Sequence, residues 1–180
     1  MRIKIFAFLG LVSVSLWNCG HQSDKKTITN EDKLTTQQLD GTISLRLANA
    51  DYYKDVTDPS NNTAEWKVVI SKTGEYKVWL SSATKDTINL NYSTTVKVNL
   101  PDSQLSVVPV CDKIIHNSQE VSSPYFRADS FMGSFYVAEP GEYNIQIINE
   151  KVIPEESADQ ISSYSDNSRM MAVILSPMTN

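Results

Sequence analysis

From Gly41 onward the chain alternates apolar and polar residues with a period of two. Ile43, Leu45 and Leu47 alternate with Ser44 and Arg46, and Trp66, Val68 and Ile70 with Lys67 and Val69. Tyr76, Val78 and Leu80 repeat the pattern, as do Ile88, Leu90 and Tyr92, and then Val96, Val98 and Leu100. Successive strand residues point to opposite faces, so each run predicts a strand with one buried side. Asp58-Pro59-Ser60-Asn61-Asn62, Lys72-Thr73-Gly74, Pro101-Asp102-Ser103 and Glu139-Pro140-Gly141 punctuate the runs as turns. No segment here sustains a helical period for three turns. The pattern predicts an all-β fold, an antiparallel β-sandwich spanning residues 41–180.

One motif occurs twice. Gly74-Glu75-Tyr76-Lys77-Val78-Trp79-Leu80 is echoed by Gly141-Glu142-Tyr143-Asn144-Ile145-Gln146-Ile147. Each copy follows an apolar strand and a short turn, and each puts a Tyr and two aliphatics on one face. Two hairpins in comparable places of facing sheets are expected, with Gly supplying a positive φ at the turn. The echo does not extend further, so it reads as a shared turn recipe rather than a duplication. Trp66, Trp79, Tyr76, Phe135 and Tyr143 read as core. Trp79 has the opposite parity to Tyr76, so exposure on the outer face is its alternative.

The first forty residues follow another logic. Arg2 and Lys4 precede an apolar run from Ile5 to Trp17, after which the chain turns polar. The run is short for a bilayer span and reads as a signal peptide over residues 1–18. Leu16-Trp17-Asn18-Cys19, followed by Gly20, resembles the lipobox of bacterial lipoproteins, in the looser form of Bacteroidota-type bacteria. Trp17 and Asn18 depart from the small residues usual in that box. The resemblance implies lipidation of Cys19 and a membrane partner reached through the N-terminal lipid. It also implies an address in the bacterial envelope, at the outer membrane on its periplasmic or surface side. Residues 19–40 are polar and without sustained period. They are expected to form a flexible tether whose ends, as a coil, lie roughly 25 Å apart.

Ala64-Glu65-Trp66-Lys67-Val68-Val69-Ile70 with the first Gly-Glu-Tyr segment resembles a hairpin of galactose-binding-like β-sandwich domains. Met132-Gly133-Ser134-Phe135-Tyr136-Val137 with the second resembles another, and Met171-Ala172-Val173-Ile174-Leu175-Ser176-Pro177 resembles their closing strand. This group includes carbohydrate-binding modules and accessory domains of bacterial fucosidases and sulfatases. The resemblance covers Thr42 to about Met178 and implies a jelly roll. Many such modules hold calcium with acidic residues in the first and last strands. Here Asn49 and Arg169-Met170-Met171 stand at those places, and Met is no ligand for a hard cation, so no metal is expected there. Asp51, Asp55 and Asp58 read as a solvated acidic loop.

Composition narrows the chemistry. The 180 residues carry 21 acidic and 16 basic side chains, a net charge of −5. A mildly acidic chain without clustered Lys and Arg is no duplex-binding protein, and no nucleic-acid partner is expected. Two cysteines exclude a disulfide framework and a four-cysteine zinc site. With Cys19 lipidated, Cys111 is left alone. Its parity with Leu105 and Val107 makes it a small apolar residue rather than the thiol of a Cys111–His116 pair. No nucleophile-elbow motif appears, Glu155-Glu156 read as a solvated loop, and no catalysis or cofactor is expected. Asn61-Asn62-Thr63 and Asn91-Tyr92-Ser93 match the glycosylation pattern, but beside a bacterial-looking leader they read as turn or strand sites.

Sugar binding needs an aromatic ring for the apolar face of a pyranose and polar groups for its hydroxyls. The loop residues that supply these are Tyr52, Tyr53, Tyr125, Phe126, Tyr164 and Asn167, with Arg127 for a carboxylate or sulfate. The expected function is a membrane-anchored, non-catalytic lipoprotein that binds glycans at the envelope. The alternative is a structural or protein-interaction lipoprotein that has lost sugar binding, whose partner is an envelope protein.

Overall fold

The computed structural model describes residues 33–100, 102–153 and 168–178. Eleven strands are seen among them: β1 (Thr35–Thr36), β2 (Ile43–Arg46), β3 (Asp51–Tyr53), β4 (Thr63–Ile70), β5 (Gly74–Thr84), β6 (Val96–Leu100), β7 (Ser103–Val107), β8 (Lys113–Ile115), β9 (Phe126–Val137), β10 (Gly141–Ile148) and β11 (Ser168–Pro177). The helical turns among the described residues are short 3-10 turns at Leu47–Asn49 and Pro59–Asn61. The expected signal segment, Cys19, the expected tether up to residue 32, Glu155-Glu156, Tyr164 and Asn167 lie outside the described residues.

Two sheets face each other. The first runs β1-β4-β10-β6-β7, with β3 sharing the outer edge of β4, and the second runs β2-β11-β5-β9-β8. Apart from the parallel β1–β4 contact, every pairing is antiparallel. This is an antiparallel β-sandwich of jelly-roll type. The predicted alternation supplies its interior: Ile43, Leu45, Val68, Ile70, Val78, Leu80, Val96, Val98, Ile145, Ile147 and Leu175 are all completely buried. Each such side chain contributes roughly 1.5–3 kcal/mol of transfer free energy. Trp66 crosses the core, and its indole N–H donates to the Arg46 carbonyl at 2.9 Å, tying β4 to β2 in the other sheet.

Three expectations are corrected. The two Gly-Glu-Tyr segments do not close hairpins. β4 belongs to the first sheet and β5 to the second, and β9 and β10 are divided likewise. Each short turn is an arch that carries the chain from one sheet to the other. The copies do start strands in facing sheets, as expected. Gly74 has φ +131°, whereas Gly141 is not among the positive-φ residues.

Ile88-Leu90-Tyr92 is not a strand. The Asp86 carboxylate accepts the backbone N–H of Ile88 at 2.8 Å, and Asn89 accepts that of Asn91 at 2.8 Å. These side chains take the donors that a ladder would use, and Asn91 sits in the left-handed region at φ +50°. Leu90 and Tyr92 are buried, whereas Ile88 is exposed.

Residues 33–40, expected in the tether, instead lie against the sandwich. Thr35 and Thr36 pair with Val68 and Val69. The Gln37 amide donates to the Gly41 carbonyl and the Tyr76 hydroxyl, both at 2.7 Å, and accepts from the backbone of Ser71 and Lys72. A Gln in a polar stretch carries no periodic signal, so this clamp was invisible to pattern reading.

Candidate functional site

At one end of the sandwich, several connections surround a groove of about 660 Å³. Its walls are Leu47 after β2, Asn91 and Ser93 before β6, Tyr125 before β9, Glu150 and Lys151 after β10, and Arg169 in β11. The buried Asn149 organises this end. Its backbone N–H donates to the Asn62 carbonyl at 3.0 Å, its amide to the Thr94 hydroxyl at 2.8 Å, and its side-chain oxygen accepts from Lys151 N–H at 3.0 Å.

The groove combines an aromatic surface with charges of both signs. The Tyr125 ring lies 5.0 Å from the Lys85 ammonium and 5.4 Å from the Arg169 guanidinium carbon, both within cation–π range. Lys151 lies over the Tyr92 ring at 5.1 Å. Glu150 accepts from the Ser93 hydroxyl at 2.9 Å and from the Thr94 hydroxyl. Burial pushes the Glu150 carboxyl up. The Thr94 hydroxyl, the backbone N–H, the Ser93 hydroxyl and the Lys151 charge outweigh this and hold it below the ordinary carboxylate value. Asn91, exposed and left-handed, is the type of strained polar residue found where backbone conformation serves a site. Such a surface can stack one sugar ring and offer donors and acceptors to its hydroxyls.

Of the residues that the sequence nominates, Tyr125 lines the groove. Phe126, next along the chain, packs edge-on against His116 with ring centroids 5.4 Å apart. Tyr53 lies exposed on β3, away from the groove lining. Tyr52 is corrected to a structural role. It is half-buried against the core, its hydroxyl donates to the Leu47 carbonyl, and burial raises its pKa above 10.0.

Arg127 is also corrected. Its Nε and Nη2 make a two-pronged bond to Asp129 at 2.8 and 2.9 Å, and Nη1 reaches Glu120 at 2.7 Å. Burial lowers its pKa, but the hydrogen bonds and charges of Asp129 and Glu120 outweigh that and raise it overall. With its side chain 18% exposed and three of its N–H donors bonded to Asp129 and Glu120, its charge is already met by two carboxylates rather than held for a ligand anion. Glu120 also binds Arg46 at 3.0 Å, so the chain of charges pins the β8–β9 connection onto the outer face of the second sheet.

The remaining candidates resolve simply. Cys111 is packed against the core, and its thiol is pushed up by burial and then by Asp86 and Asp112. No hydrogen bond or ring contact joins it to His116 among the described residues. Asp51 pairs with Lys33, Asp55 accepts the backbone N–H groups of Thr57 and Asp58, and Asp58 caps the Pro59–Asn61 turn. Among the described residues no three His, Cys, Asp or Glu side chains gather as for a metal ion. Trp79 is not in the core: its opposite parity puts it on the outer face, half-buried and tilted against Phe131 with centroids 5.2 Å apart.

Sequence reasoning missed Asn91, Ser93, Glu150, Lys151 and Arg169. A signal was present for Asn91, since alternating Asn89 and Asn91 favour side-chain turns and left-handed backbone. The others are brought together only by the fold.

No family model matches the chain, and no curated protein matches it. Solved structures do. An α-L-fucosidase from Vibrio sp. strain EJY3 superposes with a TM-score of 0.62 at 19% identity, over 81% of this chain and 24% of the fucosidase. The chain thus spans about a quarter of that enzyme's length, and the likeness establishes a common sandwich fold. Looser matches are the C-terminal CBM6 of LamC, a marine laminarinase from Zobellia galactanivorans (TM-score 0.39, 7% identity, 75% of this chain and 98% of that one), and the CBM35 of Abf62 from Cellvibrio japonicus (0.36, 8%, 77% and 94%).

Proposed function

We propose that this chain is a non-catalytic glycan-binding protein of the bacterial envelope, held to a membrane by lipid on Cys19, with the loop-end groove as its sugar site. The observation that carries the reading is the Tyr125 ring, with Lys85 and Arg169 at 5.0 and 5.4 Å from its centroid, in a groove that also presents Asn91, Ser93 and Glu150. A pyranose against Tyr125 finds hydroxyl partners around it. The leader and Cys19 support the anchor, since several acyl chains on one cysteine exceed the single chain that gives only marginal attachment.

A glycan array probed with the full chain in non-ionic detergent tests the site, with affinity electrophoresis to follow. Binding to at least one plant, host or bacterial glycan is expected, falling at least tenfold in Tyr125→Ala. Loss of binding with retained thermal stability supports the groove, and binding that survives the substitution overturns it. Labelling with radioactive fatty acid, lost in Cys19→Ala, tests the anchor.

A second reading, a protein-interaction lipoprotein without sugar binding, is favoured by one observation. Ile174, Trp79 and Phe131 lie side by side across β11, β5 and β9 on the outer face, and Phe131 is 41% exposed. A stoichiometric envelope-protein partner lost on Phe131→Ser, with no glycan bound, would establish it.

A further inference from the structure

Charge is unevenly placed at the loop-end groove. Among its described lining residues, Arg169 and Lys151 stand against a single carboxylate, Glu150. Glu150 is already engaged by the Ser93 and Thr94 hydroxyls and by the Lys151 charge. Lys85 brings a third cation to the Tyr125 ring. The described groove is therefore cationic, on a chain whose net charge is −5.

Strand register explains why these cations meet. Arg169 of β11 and Arg127 of β9 both pair with Ala83 of β5, so the three share one face of the second sheet. Lys85 and Tyr125 stand two residues beyond Ala83 and Arg127, which returns both to that face. Lys85 and Arg169 lie 5.0 and 5.4 Å from the same ring centroid. Their charges are then at most about 10 Å apart, a separation that salt screens only in part.

The described arginines differ in what meets their charge. Arg46 is bonded to Glu120, and Arg127 to Glu120 and Asp129. Arg169 is exposed, packs on the Tyr125 ring and meets no carboxylate among the described residues. We infer that Arg169 is the anion-binding residue of the groove and that the sugar it takes is acidic, a pyranose bearing a carboxylate or a sulfate ester. This rests on the reading of the groove as a sugar site and narrows it. A guanidinium presents parallel N–H donors that a carboxylate or sulfate accepts in pairs. Lys85 and Lys151 add attraction as point charges, and Tyr125 supplies the apolar surface for the ring.

Carboxylate and sulfate share this chemistry, and the test separates them. The full chain in non-ionic detergent is applied to an array of uronate-bearing and sulfated glycans, oligogalacturonate and sulfated galactan among them. Each stands beside its carboxyl-reduced or desulfated form, and neutral plant, host and bacterial glycans complete the set. At least one acidic form is expected to bind about tenfold more tightly than its neutral form, and which kind does so names the anion. Arg169→Gln is expected to abolish that preference, with an unchanged melting transition because the residue is exposed. Lys67→Gln, an equal change of charge at an exposed position of β4, is expected to leave it intact. Added salt should weaken acidic-glycan binding in the parent chain and much less in Arg169→Gln. Binding confined to neutral glycans and lost in Tyr125→Ala, or an acidic preference that survives Arg169→Gln, overturns this inference and leaves the sugar groove standing. Absence of binding to every glycan overturns the groove reading and this inference together.

Discussion

The Tyr76 hydroxyl donates to the Lys72 carbonyl at 2.6 Å, four residues upstream, across the arch between β4 and β5. Tyr143 makes the same bond to Glu139 across the arch between β9 and β10. The repeated Gly-Glu-Tyr therefore marks two sheet-to-sheet crossings, each latched by a phenol to the carbonyl where the crossing begins. Tyr76 is buried and also accepts from Gln37, whereas Tyr143 is only partly buried. Tyr76→Phe should cost about 2 kcal/mol, because it removes two part-buried hydrogen bonds, and Tyr143→Phe, which removes one, about 1 kcal/mol. Urea denaturation of the two variants gives the order, and equal losses would refute it.

The charge cluster on the outer face is structural. Arg127→Ala leaves Asp129, itself 6% exposed, without its two-pronged partner, and should lower stability by roughly 2–3 kcal/mol. Ser81 lies directly across from Asp129, and its hydroxyl is buried without a hydrogen-bond partner among the described residues. Ser81→Ala removes that unsatisfied group and should raise stability by up to about 1 kcal/mol. Thermal melts of both variants check the opposite signs.

Gly133 and Gly74 separate two costs. Both have positive φ, +129° and +131°. A Cβ at Gly133 would meet Leu105 Cδ2 at 3.0 Å, whereas one at Gly74 meets nothing within 4 Å. Gly74→Ala should lose about 1 kcal/mol to backbone strain alone, and Gly133→Ala more, up to roughly 3 kcal/mol. Denaturation midpoints should rank them in that order.

Glu150 makes the groove end acid-sensitive. Its folded pKa lies below the ordinary 4.5, so it contributes stability that is fully present above that value. The contribution is lost as pH falls through the lower folded value, when the proton ends the bonds to Ser93 and Thr94. In Glu150→Gln the dependence of melting temperature on pH below 4.5 should flatten, while the neutral-pH value falls. An identical acid slope in both proteins would rule this out.

Much of the fold was legible, for a local reason. Trp66 to Ile70 and Val96 to Leu100 sit in strands with one dry face, and alternation records that face directly. Strand partners were less legible. β4 pairs with β10, Ile70 opposite Gly141, and no local signal distinguishes that from pairing with the adjacent β5. The Ile88-Leu90-Tyr92 alternation misled because Asp86 and Asn89 side chains outcompeted the ladder for its donors. Arg127 was legible in hindsight: Asp129 is two residues on, hence on the same strand face, and an ion pair there is the simplest outcome. The groove was the least legible part. Asn91, Glu150 and Arg169 are far apart in sequence, and only the meeting of three strand ends makes them neighbours.

The seating of residues 33–40 has a mechanical consequence. β1 runs parallel to β4, so a pull along the chain from its N-terminal side slides one strand against the other and loads both paired positions together. The Gln37 amide, bonded at once to Gly41, Tyr76, Ser71 and Lys72, then works as a shear pin. Tension applied from the N-terminal side stops at that pin before it reaches β2, whose far end forms one wall of the groove.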